Sequence, residues 1–83
     1  MSGAEGLPPV IDAVAAGEPP EELIALLRWA NSAGVRRDTL IAEIEAGVTR
    51  AERGGSEEGA AALRGLLDRI TGFCGPNARI ELR

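Results

Sequence analysis

Ser56-Glu57-Glu58-Gly59-Ala60-Ala61-Ala62-Leu63-Arg64-Gly65-Leu66-Leu67-Asp68-Arg69-Ile70-Thr71-Gly72-Phe73-Cys74-Gly75-Pro76 is the stretch whose reading decides the fold. It opens with a hydroxyl residue followed by two acids, the chemistry of a helix N-terminus. Ala60, Leu63, Leu66, Leu67, Ile70, Phe73 and Cys74 then recur at intervals of three and four, which lines them along one face of an α-helix. Gly75 followed by Pro76 is the expected stop, so a helix is predicted over about 57–74.

The same grammar recurs upstream. Gly54-Gly55 breaks the chain, and before it Leu40, Ile41, Ile44, Val48 and Ala51 make a narrow apolar stripe, with Asp38 as the expected N-cap of a helix over about 37–53. Glu43, Arg50 and Arg53 occupy the opposite, solvated side. Pro19-Pro20-Glu21-Glu22 starts another helix, with prolines preset for the first turn and carboxylates at the positive end of the dipole. It runs over about 20–33, and Gly34 is its left-handed stop. Its core stripe is Leu23, Leu26, Leu27, Ala30 and Ala33, but Ile24 and Trp29 on the flanks widen the apolar arc to roughly 220° at 100° per residue. That exceeds what one packed side needs, so this helix is either covered on both sides or carries a binding surface. A first short helix, about 8–16, follows from Pro8-Pro9 and the apolar Leu7, Val10, Ile11 and Val14, with Gly17 ending it.

Downstream, Ala78-Arg79-Ile80-Glu81-Leu82-Arg83 alternates apolar and charged residues, the pattern of a half-buried strand. Two readings stand: an extended tail whose Ile80 and Leu82 plug the bundle, or a strand that pairs across a dimer axis or on another protein's sheet edge. The expected fold is therefore all-α, a compact bundle of about four short helices with a short extended C-terminal segment. Residues 1–6 are expected to form a flexible N-terminal arm and residues 7–83 a single small helical domain.

Composition narrows the function by exclusion. The 83 residues contain no His, Lys, Tyr or Gln, which removes most of the side chains that move protons at neutral pH. No enzyme is expected, and no small-molecule substrate. All nine basic residues are Arg, and with abundant Ala and Gly this reads as the GC-rich coding of a bacterial or phage genome. The net charge of −4 opposes non-specific polyanion binding. With no His and one Cys, only carboxylates remain as metal ligands, and no Asp-rich loop has calcium spacing; no metal or cofactor is expected. The start carries no basic segment or apolar run of signal-peptide length, and no stretch has the roughly 18 apolar residues of a membrane span, which points to the cytoplasm and away from membranes. A lone Cys fits a reducing compartment. Cys74 lies on an apolar stripe near a helix C-terminus, where the dipole disfavours thiolate, and is expected to be structural and buried. The acid pairs Glu21-Glu22 and Glu57-Glu58 are explained by helix starts, and Glu43 and Glu45 by solvation.

Two local patterns point to binding. Ala30-Asn31-Ser32-Ala33-Gly34-Val35-Arg36-Arg37-Asp38-Thr39-Leu40-Ile41-Ala42-Glu43-Ile44 resembles a helix-turn-helix over about 23–46, and Gly34 through Gly47 is similar to the excisionase and MerR-type version. That resemblance implies a DNA-binding regulator with Arg36, Arg37 and Thr39 at the start of the recognition helix. Glu43, at a position normally apolar, departs from the pattern. The second pattern is Trp29, one of two aromatic residues, flanked by Arg28 on a wide apolar arc. It is either the large side chain of an aliphatic core or the anchor of a protein interface. Leu26-Leu27-Arg28-Trp29-Ala30-Asn31-Ser32-Ala33-Gly34 is also similar to a piece of the small helical effector-associated domains of bacterial defence and signalling proteins, over about a tenth of the chain.

The expected function is a non-catalytic protein-binding module, of the kind used as inhibitor, immunity protein, antitoxin partner or adaptor. Its interface candidates are Ile24, Arg28 and Trp29 on the second helix and Ile80 and Leu82 in the tail. The partner is another protein or a second copy, with a structural homodimer as a further alternative and nucleic acid as the lesser one.

Overall fold

Among the described residues of the computed structural model four helices follow one another, α1 Leu7–Ala15, α2 Glu21–Ser32, α3 Arg37–Arg53 and α4 Glu57–Thr71. The structure describes residues 6–72 and 80–82. The fold is the predicted all-α bundle, and the described residues contain no strand. Its extents of 33 × 33 × 19 Å make it a slab two helix layers thick, since each helix is about 10 Å across.

The turns are tight because the first three helices end in the same way. Gly17, Gly34 and Gly55 hold φ of 109°, 107° and 81°, a region open to glycine and costly for other residues. The amide of Gly17 donates to the Val14 carbonyl and that of Glu18 to Ala13; the pairs Gly34–Asn31 and Val35–Ala30, then Gly55–Glu52 and Ser56–Ala51, repeat the pattern. These are Schellman turns, which satisfy the carbonyls left open at a helix C-terminus. Ser56 serves two helices at once. Its N–H closes α3, and its Oγ accepts from the Gly59 N–H at 3.2 Å to cap α4.

Two boundaries and one core stripe differ from expectation. Helix α4 ends at Thr71 and not at 74, because Gly72 (φ 86°) takes the left-handed conformation and its N–H closes on the Asp68 carbonyl before Gly75-Pro76 is reached. Asp38 is not the N-cap of α3. Arg36 holds that position with extended backbone (ψ 146°) and no side-chain cap, and Asp38 lies inside the first turn, where its charge still meets the helix dipole. Ala33 and Leu26 are not part of the α2 core; Ala33 is exposed and Leu26 only half-buried.

One contiguous core joins the helices. It contains Leu7, Ile11 and Val14 from α1, Leu23, Leu27 and Ala30 from α2, Leu40, Ile44, Val48 and Ala51 from α3, and Ala60, Leu63, Leu66 and Ile70 from α4. Helices α3 and α4 share the broadest contact, α1 lies against all three other helices, and α2 makes only slight contact with α3. At nine residues α1 is too short to hold its shape alone, so it depends on these neighbours. Two ion pairs add surface ties: Arg50 Nε to Asp12 Oδ1 at 2.9 Å links α3 to α1, and Arg64 Nη2 to Glu52 Oε2 at 2.7 Å links α4 to α3. All four groups are about half exposed, so each pair contributes at most about 1 kcal/mol.

Glycines inside α3 and α4 set how closely α1 approaches. A Cβ on Gly47 would collide with Ile11 Cγ2, and one on Gly59 would stand 2.5 Å from the Ala15 carbonyl oxygen and 2.7 Å from the Ser56 cap. Gly59 occupies the third position of α4, where a capping box would place Glu; the end of α1 fills that space instead. Gly65, on the outer side of α4, meets nothing within 4 Å. Gly65→Ala should therefore raise stability by about 0.5–1 kcal/mol through helix propensity alone. Gly59→Ala should lower it by about 1–3 kcal/mol despite the same propensity gain, because a backbone carbonyl cannot move aside as a side-chain tip can. Urea denaturation midpoints at unchanged slope would display the opposite signs, and equal effects would show that α1 does not sit on α4 as described.

Candidate protein-interaction surface

Helix α2 is the edge of the bundle, and its two sides differ in chemistry. Leu23, Leu27 and Ala30 face inward and are fully buried, while Ile24 and Leu26 on the flanks are half-buried against the core. Glu21, Glu22, Ala25, Arg28, Trp29, Ser32 and Ala33 are exposed. Trp29 has 60% of its surface open to solvent, and among the described residues it is the one exposed large hydrophobic side chain. At 100° per residue it stands roughly 120° round the helix from the middle of the inward side, beyond the reach of a core that covers α2 on one side only. Trp29 is therefore not the large side chain of the core. Of the two readings of the wide apolar arc, coverage on both sides is the one the packing overturns.

The tail residues divide. Ile80 is 0% exposed, a core residue of its own chain, and its N–H donates to the Arg69 carbonyl at 2.9 Å. As an interface candidate it is corrected: both its side chain and its amide are already engaged within the monomer, so neither is available to a partner's sheet edge. This is the plug reading of the tail. Leu82 is half-buried against the same core and keeps part of its surface free. Residues 78, 79 and 83, needed for the full strand pattern, lie outside the described residues, as do Phe73 and Cys74.

Between α2, the end of α4 and the tail runs an open groove of about 880 Å³, lined by the polar Arg28, Asn31, Ser32 and Arg37 and by the apolar Ile70 and Leu82 among others. Arg28 thus belongs both to the outer side of α2 and to the rim of this groove. The Asn31 Nδ2 donates to the Val35 carbonyl at 3.0 Å, tying the end of α2 to the turn that follows.

The residues of the helix-turn-helix resemblance are placed less favourably for a nucleic acid. Arg36 and Thr39 are exposed, but Arg37 is half-buried, with its Nη2 pointing to the Ile70 carbonyl at 3.5 Å. There its charge faces the negative end of the α4 dipole, a structural role that spacing along the chain did not reveal. The outer side of α3 presents Asp38, Thr39, Ala42, Glu45, Ala46 and Thr49, so two carboxylates stand where phosphates would approach. The next cation along it, Arg50, is paired with Asp12. Helix α3 packs chiefly on α4 and α1, and its slight contact with α2 is not the close helix pair of a helix-turn-helix. No helix among the described residues is long and apolar enough to cross a membrane.

Ile80→Ala should cost about 2–5 kcal/mol, the range for emptying a fully buried aliphatic site. Leu82→Ala should cost much less, and thermal melts of the two variants side by side would separate plug from free tail. Trp29 emission in the isolated chain should lie close to that of indole in water and be readily quenched by acrylamide; a blue-shifted, protected signal would place the ring inside. The chain matches no protein-family model, no curated protein and no solved structure.

Proposed function

We propose that this chain is a non-catalytic protein-interaction module that binds through the outer side of α2, serving as an inhibitor, immunity protein, antitoxin partner or adaptor. The observation that carries this reading is the 60% exposure of Trp29 beside Arg28. Trp and Arg are the side chains that most often dominate binding energy, because each combines a large contact area with a polar handle. The open part of the indole, on the order of 150 Å², is worth about 3–4 kcal/mol once a partner removes it from water. Small neighbours, Ala25 and Ala33, leave the ring accessible, and the half-buried Ile24 and Leu26 extend apolar surface on the two flanks.

The charge of the chain supports the same reading. A net −4 with exposed acids on α2, α3 and α4 repels phosphate and attracts a basic protein surface, which speeds encounter with such a partner. Among the side chains that commonly transfer protons near neutral pH, His, Lys and Tyr are absent from the composition, which favours binding over turnover.

The test is co-purification from the cell that makes the protein, comparing the tagged chain with Trp29→Ala. Truncating Trp29 should leave unfolding free energy within about 0.5 kcal/mol, since the site lies outside the core. It should weaken partner retention at least about tenfold, equivalent to about 1.4 kcal/mol. Retention of a nucleic acid that is lost in Arg36→Ala/Arg37→Ala, or multiple-turnover chemistry by the purified chain, would overturn the reading.

A further inference from the structure

The outer side of α2 changes sign along its length. Glu21 and Arg28 are seven residues apart, two helical turns, and therefore lie on the same side of the exposed face about 10 Å from one another. Ala25 lies between them at the middle of that face, and on its other side Glu22 and Trp29 are again seven residues apart. Neither Glu21 nor Arg28 makes an ion pair with another described residue. The order is thus acid, alanine, cation, with the one exposed indole beside it.

Such an order is complementary to itself when reversed. We propose that α2 of one copy packs antiparallel on α2 of a second copy, with Ala25 at the twofold axis, so that Glu21 of each meets Arg28 of the other and each Trp29 lies along the partner helix. The proposal rests on the reading of α2 as the binding surface and names its partner as a second copy of this chain. A twofold operation keeps each residue on its own side of the face while reversing position along the helix. It therefore brings Glu21 opposite Arg28 twice, and Trp29 opposite the stem of Glu22 twice. The small side chain of Ala25 allows the two backbones to come close at the axis. A parallel twofold arrangement would set Glu21 against Glu22 and Arg28 against Trp29, so it would bring acid against acid and form no ion pair.

The size of the contact sets its strength. A helix of 12 residues is about 18 Å long, so the strip covers a few hundred Å² per copy, below the roughly 800 Å² per partner of a standard stable interface. The dimer is therefore weak, in rapid exchange, and sensitive to salt, because its two ion pairs are solvent-exposed.

Sedimentation equilibrium on the full chain tests this, with far-UV circular dichroism confirming that each variant is folded. Wild type should go from monomer to dimer between micromolar and millimolar concentration at low salt and return to monomer at high salt. Glu21→Arg and Arg28→Glu should each abolish the dimer alone. Mixed in equal amounts they should form a heterodimer and nothing larger, since one copy then carries two cations and the other two acids. The double variant Glu21→Arg/Arg28→Glu should dimerise again by itself, and Trp29→Ala should weaken every dimer at least tenfold. A wild-type chain that stays monomeric at millimolar concentration overturns the proposal. So does a mixture that stays monomeric, or one that builds species beyond the dimer, which signals head-to-tail contact. If wild type stays monomeric yet captures a cellular protein through Trp29, the self-pairing fails and the wider reading of α2 stands; if neither occurs, both fail.

Discussion

The close approach of α1 to α3 and α4 is the contact on which the remaining architecture depends. A nine-residue helix has too few internal hydrogen bonds to offset its nucleation cost, so α1 exists only because it is packed against neighbours. Glycine at 47 and 59 makes that packing possible. At each site a single methyl group would collide, with Ile11 in one case and with the Ala15 carbonyl at the end of α1 in the other. Glycine in a helix interior costs about 1 kcal/mol relative to alanine, and here that cost is offset by burial of Leu7, Ile11 and Val14.

The position of α2 follows from this arrangement. It rests mainly on α1 and only slightly on α3, so one side of it is covered and the other is left to solvent. The broad α3–α4 contact supplies the base of the bundle, and Ile80 closes the core from the tail. What remains on the outside of α2 is a row of short and charged side chains around one indole. The exposed face proposed for binding is thus a product of which helices α1 can reach, and not of any special local structure in α2.

The same logic separates the two binding surfaces that the sequence raises. A nucleic-acid reader would need α3 to offer cations outward from its first turn. Instead Arg37 is drawn to the carbonyl end of α4 and Arg50 to Asp12, both serving packing between helices, while Asp38 and Glu45 face the solvent. On α2 no charged side chain is ion-paired with another described residue, and the indole is open. The free energy still available from that surface lies in covering Trp29.

Helix number, helix order and most of the core were legible from the chain alone. Hydrophobic periodicity and the terminating glycines are local signals, and local hydrogen bonding enforces them: Gly17, Gly34 and Gly55 each sit at the left-handed turn that their position implies. Periodicity also found the inward side of every helix, because the same face must be apolar whichever neighbour covers it. It could not say how much of the wide arc on α2 is covered, which decides whether Trp29 is inside or outside; that depends on which helices pack on it. Nor could it choose between Gly72 and Gly75 as the end of α4, since both are permitted stops and tertiary context selects one. The roles of Gly47 and Gly59 as points of close approach, the burial of Ile80 and the engagement of Arg37 with α4 all join residues distant in sequence. Local propensity carries no record of such pairings, so only the assembled fold decided them.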